Sequence, residues 1–280
     1  MNGIFLINKP KDWTSFDVCA KLRKKFDTKR VGHSGTLDPF AEGLMIVAMG
    51  RATKILSFIE DIYKTYVAEL KLGESTDTMD LTGSVIRKKD VPELNEEIII
   101  NSLNKFLGES MQVPPMFSAL KKDGIPLYQL AREGIEVERK KRNIHIYNIR
   151  LISYEYPIIK FEATVSRGTY IRVLANDIAN DLNTEGHLIS LVRTSIGNDK
   201  LSDAVSIYDV QEDDITPIHK VLSFMKTIVV DVDTERDIRN GIPLNYELED
   251  EMILFINEKE EALAIYEKRD KLYYCKRGLF

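Results

Sequence analysis

Residues Val31 to Lys54 read VGHSGTLDPFAEGLMIVAMGRATK and combine several residues with special backbone behaviour. Glycine accepts backbone angles and close approaches that other residues resist. Pro39 fixes its own φ and keeps Asp38 out of the helical region. The apolar run between Gly43 and Gly50 then predicts a short buried strand. The pattern therefore predicts a stiff turn that presents Asp38 beside that strand.

The carboxylate of Asp38 has two interpretations on this pattern alone. A carboxylate on a rigid loop beside a buried strand is well placed to act as a nucleophile or a base. Aspartate directly before proline is also a good helix start, with Asp38 as the N-cap and Pro39 at the first helical position. A metal site is weaker, because His33 and Asp38 are five residues apart and the nearby chain offers no further His or Cys to complete a coordination shell.

The same stretch resembles the catalytic motif of the tRNA pseudouridine-55 synthases of the TruB family, which modify uridine 55 in the T-arm. The family pattern G-H-x-G-x-L-D-P is matched in register here. The resemblance implies that Asp38 is the catalytic residue and that His33 fills the space left by the flipped target base. On its own, a histidine beside a glycine turn also fits a local hydrogen-bonding role.

The bulk composition limits the class of protein. The chain has 280 residues and is 44% hydrophobic, which is enough for a sizeable core and predicts two domains. No apolar run approaches the length of a membrane span and the first residues do not read as a signal peptide, so we expect no membrane partner. Cys19 and Cys275 form no disulfide framework or metal pattern, which fits a reducing cytoplasm.

The charges are segregated along the chain. The net charge of −5 argues mildly against a nucleic-acid partner, although phosphate contacts need only local positive charge. Six cations lie in residues 21–30 against one acid, residues 139–142 read Arg-Lys-Lys-Arg, and acids concentrate in residues 231–270. Each basic cluster also fits a solvated helix face or loop. Such segregation would let an acidic protein hold RNA.

Two further segments match motifs of the same family. The first, INKPKDWTSFDV, predicts a strand followed by a helix capped by Thr14 or Ser15, and the family's Lys-Pro pair, here Lys9 and Pro10, supports the active-site loop. The second lies in the predicted strand of residues 63–73 and matches K-x-Y-x-A-x-x-x-x-G. A strand tyrosine usually packs in the core or across strands. The resemblance implies instead that Tyr66 stacks on the target base.

Residues 108–142 resemble the insertion with which the family grips the T-arm. Two prolines, two lysines and a glycine interrupt regular structure there, and residues 127–133 predict a short helix stopped by glycine. The same composition fits a mobile basic loop without a partner. Taken with the basic first helix, the resemblance implies RNA-backbone contacts from Lys21, Lys24, Lys121, Lys122, Arg132, Arg139, Lys140, Lys141 and Arg142.

Two motifs in the second half of the chain complete the resemblance. The segment SRGTYIR is similar to C-S-x-G-T-Y-I-R, with Val165 where many members have Cys. It implies that Arg172 pairs with Asp38 and keeps it ionised, and that Tyr170 borders the uracil pocket. Without the resemblance, Arg172 fits an ordinary ion pair elsewhere. Residues 186–197 resemble G-x-x-x-x-L-x-R-T-x-x-G, so Leu191 matches an apolar residue packed at the target base, although core burial explains it equally.

The expected fold class is α+β, with a mixed, mostly antiparallel sheet and flanking helices over residues 1–227. From about residue 228, short apolar runs separated by polar turns, one of them Asn240-Gly241, resemble a compact PUA-like β-barrel over residues 228–280. The acidity of this region departs from an RNA-gripping surface. Residues 76–83 look metal-like but lack the spacing of a calcium loop, and the family carries a similar stretch without a metal.

The resemblance implies isomerisation of uridine 55 to pseudouridine by base flipping, with Asp-dependent cleavage of the C1′–N1 bond and formation of a C1′–C5 bond. A covalent route and a glycal route are both open. The expected partner is the tRNA T-arm, with no cofactor, no metal and no obligate protein partner for a monomer. One alternative is a guide-RNA-dependent synthase, which should carry long basic terminal extensions, whereas this sequence runs from Met1 to Phe280. The other is a non-catalytic RNA-binding or folding module.

Overall fold

The protein is described by a computed structural model that covers residues 2–59 and 62–280. The strands of the larger part are β1 Gly3–Lys9, β2 Val31–His33, β3 Glu42–Met49, β4 Lys64–Leu72, β5 Glu74–Thr76, β6 Val85–Lys88, β7 Gly108–Gln112, β8 Lys121–Lys122, β9 Ile125–Pro126, β10 Arg142–Glu155, β11 Ile158–Val165, β12 Gly186–Ile196, β13 Asp199–Lys200 and β14 Val205–Ser206. Its helices are α1 Ser15–Lys25, α2 Leu56–Ile59, α3 Glu96–Asn104, α4 Leu127–Arg132, α5 Ile171–Asp181 and α6 Ile218–Val221. The C-terminal part contains β15 Lys226–Val230, α7 Val232–Arg239, β16 Met252–Asn257, β17 Ala262–Arg269 and β18 Leu272–Gly278.

A ten-stranded mixed sheet forms the frame of the molecule. Its order is β14-β1-β3-β12-β4-β11-β10-β7, with β2 paired to β3 and β13 paired to β12. The β1–β14 and β3–β12 pairs are parallel, and the other pairs are antiparallel. The predicted mixed, mostly antiparallel α+β architecture is confirmed. Because β12 lies between β3 and β4, three family motifs far apart in sequence become neighbours.

The contact between β3 and β12 requires a glycine. Gly43 has φ +107° and lies opposite Arg193 in the parallel pair. A Cβ on Gly43 would lie 2.4 Å from the carbonyl oxygen of Arg193. No side chain fits at that distance, so Gly43 permits the backbone approach that joins the two halves of the sheet.

Helices α1, α3 and α5 pack on one face of the sheet and bury its main core. Helix α1 begins with a capping box in which the Thr14 side chain accepts from the backbone N–H of Asp17, so Thr14 is the cap. The apolar residues of the three helices that enter the core are Val18, Cys19, Leu22, Ile99, Leu103, Ile171, Leu174, Ala175, Ile178 and Ala179. The three helices therefore cover one face of the sheet and leave the ends of its strands uncovered. No helix in the described ranges is long and apolar enough to span a membrane.

The C-terminal strands form an open sheet in the order β15-β16-β17-β18. The two outer strands are not paired to each other in the described residues, so the predicted closed barrel is not observed there. Leu254, Ile256 and Ile265 of this sheet share one buried cluster with Ile4 and Ile46 of the large sheet. The second sheet therefore rests on the face of β1 and β3 opposite the main core.

Some predicted elements end elsewhere or have another type. Asn240-Gly241, predicted as a turn between strands, instead ends α7: Asn240 is the C-cap and Gly241 follows with φ +72°. A glycine with positive φ terminates a helix as readily as it turns a hairpin, and the polar helix before it has only two apolar residues, Val232 and Ile238. The sequence also predicts a helix from Ala52 to Ile59, whereas the structure has a 3₁₀ helix over Gly50–Ile55 followed by α2 over Leu56–Ile59. Apolar residues at helical spacing predict another helix over residues 93–107, and the observed α3 is shorter, Glu96–Asn104.

Candidate active site

No helix begins at Asp38. The backbone N–H of Ala41 donates to the carbonyl oxygen of Asp38 at 3.1 Å, which closes a single turn before the chain enters β3 at Glu42. The N-cap interpretation is therefore wrong, and the buried-strand interpretation is confirmed. Ladder pairing of β3 with strands on both sides outweighs the local preference of the Asp-Pro pair for a helix start. The turn leaves the Asp38 side chain free for a tertiary contact.

Lys9 holds the end of the Asp38 loop from inside the protein. Its side chain is fully buried, and Nζ donates to the carbonyl oxygens of Pro39 at 3.2 Å, Pro10 at 2.9 Å and Trp13 at 2.6 Å. Burial lowers the pKa of Lys9 to about 8, while the nearby Asp38 acts in the opposite direction. These contacts agree with the supporting role expected for the Lys-Pro pair.

Two more side chains hold the start and the middle of the same loop. Ser15 Oγ accepts from the backbone N–H of Leu37 at 2.9 Å. Arg193, which is 1% exposed, donates from Nη2 to the carbonyl oxygen of Gly35 at 3.2 Å and from Nε to that of Leu44 at 2.7 Å. The loop is therefore fixed at three alternate residues, and its conformation is set before any ligand arrives.

The Asp38 carboxylate forms a bidentate pair with Arg172, as the resemblance implied. Arg172 Nε lies 2.8 Å from Asp38 Oδ2, and Nη2 lies 3.0 Å from Oδ1. The guanidinium also donates from Nη1 to the Thr78 carbonyl at 2.8 Å and from Nη2 to the Phe117 carbonyl at 2.7 Å. Arg172 is 2% exposed. Such a fork orients both carboxylate oxygens with more precision than a lysine would.

Asp80 is a second carboxylate beside Arg172, and the sequence did not single it out. Its Oδ2 lies 3.6 Å from Arg172 Nη1. Its Oδ1 accepts from Thr78 Oγ1 at 2.7 Å and from the N–H of Thr82 at 2.9 Å. The segment that looked metal-like is therefore a hydrogen-bonded loop that carries a buried counter-charge. Its Thr-Asp alternation was the available signal, but sequence alone does not place it beside Arg172.

Burial raises the pKa of the Asp38 carboxyl above its ordinary value. The Arg172 guanidinium acts against this shift, and the nearby Asp80 carboxylate adds to it. The expected effect of Arg172, which favours the ionised form of Asp38, is therefore present, but burial has the larger effect on the pKa. The pair itself has the geometry of an ionised carboxylate, since both oxygens accept from a guanidinium that stays protonated. Asp38 thus titrates at a higher pH than a free aspartate.

A cavity of about 370 Å³ opens in front of this pair. This cavity is lined by all six residues that the sequence assigned to catalysis or base binding. They are His33, Asp38, Tyr66, Tyr170, Arg172 and Leu191. Leu191 and Tyr66 come from adjacent strands, β12 and β4, and both are less than a tenth exposed. Lys64, Ser118 and Arg193 also line the cavity. Sequence reasoning gave them no role, although Lys64 and Arg193 lie within the matched motifs.

His33 and Tyr170 lie at defined positions on the cavity wall. His33 Nδ1 accepts from the backbone N–H of Gly35 at 3.3 Å, and burial lowers the pKa of His33. Tyr170 is fixed by Gln112 of β7, which donates to its carbonyl oxygen at 3.1 Å and accepts from its N–H at 2.8 Å. Burial raises the pKa of the Tyr170 phenol. Both side chains are therefore neutral at physiological pH and suited to packing against a base.

The predicted RNA-backbone cations lie mainly on exposed surface. Of these nine, Arg142 lines the cavity. Arg139 pairs with Glu136 at 3.0 Å, and Arg132 lies over the Tyr128 ring. The other six are exposed. Lys21 and Lys24 lie on α1, Lys121 and Lys122 on the β8–β9 hairpin, and Lys140 and Lys141 in the segment just before β10. The arrangement gives the cavity a basic neighbourhood on the insertion side.

Comparisons with known proteins identify the family. The TruB family pseudouridylate synthase model (N-terminal domain) matches residues 23–171. The chain is 42% identical over 275 residues to tRNA pseudouridine synthase B of Clostridium kluyveri, covering 97% of this chain and 93% of that protein. It is 40% identical over 272 residues to tRNA pseudouridine synthase B of Clostridium tetani, covering 96% and 93%.

The fold also has a solved counterpart. A crystal structure of a Cbf5-Nop10-Gar1 complex matches with a TM-score of 0.74 at 21% identity, over 99% of this chain and 85% of that chain. At that identity the likeness shows the fold alone. The family model and the two full-length relatives carry the assignment: the chain belongs to the TruB family of pseudouridylate synthases.

Proposed function

We propose that this enzyme isomerises uridine 55 in the T-arm of tRNA to pseudouridine. The observation that carries the proposal is the Asp38–Arg172 pair at the wall of a cavity lined by Tyr66 and Leu191. The reaction breaks the C1′–N1 bond, forms a C1′–C5 bond, and exchanges the C5 proton of uracil for a proton on N1. Names of the full-length relatives support tRNA as the substrate.

The cavity suits a uracil taken out of its stack. Extrusion of a base costs a few kcal/mol, which contacts in the pocket must offset. Tyr66 supplies a ring for stacking, and Leu191 an apolar wall beside it. Neutral His33, at the start of the same loop, takes the place of the extruded base, and Tyr170 borders the pocket on the other side.

Asp38 starts the reaction as a carboxylate. It acts either by attack on the ribose C1′ or by removing a ribose proton on the way to a glycal; both routes begin with the ionised form. Arg172 orients its two oxygens and balances the charge. Partial burial keeps water from competing for those oxygens, which makes the carboxylate more reactive than a solvated one.

The rest of the chain positions the RNA. The insertion of residues 108–142 grips the T-arm through its cations, together with Lys21 and Lys24 of α1. The chain before β15 acts as the catalytic domain, and the C-terminal part from β15 onward forms a compact, open unit that mainly supports it. The enzyme acts in the cytoplasm as a monomer without an obligate protein partner.

Replacement of Asp38 by Ala or Asn tests the proposal. We expect both variants to bind a T-arm stem-loop RNA but to release no tritium from C5-labelled uridine, because the attacking or abstracting oxygen is lost. Asp213→Asn, at an exposed aspartate, is the matched control and keeps wild-type turnover. Turnover by Asp38→Ala at the wild-type rate would contradict the assignment. Activity on the bare stem-loop without added guide RNA excludes a guide-dependent enzyme.

A further inference from the structure

Three aromatic rings lie together on the surface at one end of the large sheet. The ring centroids of His145 and Tyr147 are 4.4 Å apart with an interplanar angle of 24°, so these rings are stacked. Tyr63 meets Tyr147 edge-on, with centroids 6.2 Å apart. Tyr147 is 54% exposed and Tyr63 is 43% exposed. We call Tyr63, His145 and Tyr147 the ring platform.

The strand geometry aims the platform away from the main core. Ile146 is buried in that core, and its neighbours His145 and Tyr147 point to the opposite face because side chains alternate along a strand. The pairing of β10 with β11 shifts register between Ile146 and Asn148, which leaves Tyr147 as the extra residue of a bulge. Bulges beside functional sites redirect a side chain. The exposure of Tyr147 is thus built into the sheet and does not come from a loose loop.

The ring platform adjoins the active-site cavity through one residue. The His145 backbone N–H donates to Ser166 Oγ at 2.8 Å, and the Ser166 N–H donates to the His145 carbonyl at 2.8 Å. Ser166 lines the Asp38 cavity and also a second, more open cavity beside His145 and Asn143. Arg142 at the start of β10 lines the Asp38 cavity as well. A chain segment leaving the pocket over Ser166 therefore reaches the platform directly.

The chemistry of this surface fits an unpaired base. Exposed rings contribute little to the core, and every nucleobase has a face on which such rings stack. Four cations in a row, residues 139–142, lead into β10 next to the platform. Cations beside stacking rings are the combination that binds single-stranded nucleic acid. Asn143 and Ser166 line the second cavity with His145, and Asn198 Oδ1 lies 3.5 Å from the Tyr63 hydroxyl, so hydrogen-bonding groups for a base lie beside the rings.

The geometry points to the ring platform as a stacking site for an unpaired nucleotide that flanks the target uridine in the RNA substrate. This inference rests on the proposed function, because it takes the occupant to be the same RNA whose base enters the Asp38 cavity. The platform increases the affinity for RNA whose loop bases are unstacked. It takes no part in bond breaking.

Binding of a fluorescent T-arm stem-loop RNA tests the platform. All proteins carry Asp38→Asn, so that the RNA is not converted, and Kd is measured by anisotropy over a range of salt concentrations. We expect Tyr147→Ala and Tyr63→Ala each to weaken binding about tenfold, in line with the loss of one base–ring stack. Tyr147→Phe keeps the ring and keeps the affinity. Tyr156→Ala removes a 70% exposed tyrosine at the far end of β10 and serves as the matched control.

Two further readouts separate stacking from other effects. The salt dependence of Kd should be unchanged in Tyr147→Ala, since no phosphate contact is lost, whereas Lys141→Ala should reduce the slope. When an abasic residue is placed at each loop position in turn, the difference in Kd between the Asp38→Asn parent and its Tyr147→Ala variant should disappear at one position.

The outcomes distinguish the platform from the proposed function. RNA bound equally by Tyr147→Ala, Tyr63→Ala and their parent overturns the platform while leaving the proposed function standing; the rings would then serve another partner. Equal weakening by Tyr156→Ala overturns it too, because the effect would not be specific to these rings. If the parent itself fails to bind the stem-loop, and the enzyme with Asp38 intact fails to modify it, the proposed function falls and the platform falls with it.

Discussion

At the scale of single residues, the site depends on one guanidinium. Arg172 donates to Asp38, to the Thr78 carbonyl and to the Phe117 carbonyl, and so joins three segments of the chain. Its motif could be recognised in the sequence, but its partners other than Asp38 could not. A buried charge with this many acceptors fixes the geometry around it, because each acceptor left unpaired would be costly.

Replacement of Arg172 by Lys should lower kcat strongly, by about 100-fold or more, because an ammonium cannot make the bidentate contact that orients both oxygens of Asp38. We expect Kd for the stem-loop to change far less, which single-turnover kinetics and anisotropy would measure together. Arg150→Lys, at an exposed pair with Glu162, is the control and should leave kcat unchanged. A kcat for Arg172→Lys within a few-fold of the wild type would show that the bidentate geometry is dispensable.

The acid side of the pH–rate profile should report Asp38. Since burial raises its pKa, the carboxylate becomes protonated, and activity falls, at a pH above that at which a free aspartate titrates, about 3.9. Asp80→Asn removes a like charge that raises this pKa, so the acidic limb should move to lower pH. Single-turnover rates across the acidic range would show it. A limb that stays in place or moves upward in Asp80→Asn would contradict this electrostatic account.

At the scale of elements, the β3–β12 contact decides whether the motifs meet. The parallel pair Gly43–Arg193 brings the loop of Asp38 beside the strand that carries Leu191. Arg193 then holds the Gly35 and Leu44 carbonyls from the other strand. One close backbone approach therefore supports both the sheet and the loop.

Gly43→Ala should destabilise the protein by several kcal/mol, because the new Cβ would meet the Arg193 carbonyl and because alanine is strained at φ +107°. Urea unfolding monitored by circular dichroism gives the difference. Gly124→Ala is a matched control: it also has positive φ, +83°, but its Cβ would meet nothing within 4 Å. Its loss should be limited to the backbone strain, about 1–3 kcal/mol. If both variants lose the same free energy of unfolding, the close approach of Gly43 to the Arg193 carbonyl does not contribute to the effect.

At the scale of the whole molecule, two sheets share one apolar layer. The four C-terminal strands rest on β1 and β3, on the face opposite the main core. Their acidity, concentrated in residues 231–270, contrasts with the basic run at residues 139–142 near the cavity. The net charge of −5 therefore says little about the surface that meets RNA. The C-terminal strands form an open sheet in the described residues, where the sequence predicted a closed PUA-like barrel.

The sequence by itself determined the family, the turn at Asp38 and the strand that follows it. These rest on contiguous motifs, in which glycines, a proline and an apolar run act on neighbouring residues. The tertiary structure alone decided that no helix starts at Asp38, that Asp80 joins Arg172, and that Asn240-Gly241 ends a helix. It also decided that three rings meet beside the pocket. Those outcomes depend on strand order and register, which bring together residues far apart in the chain, and local preference cannot specify such contacts.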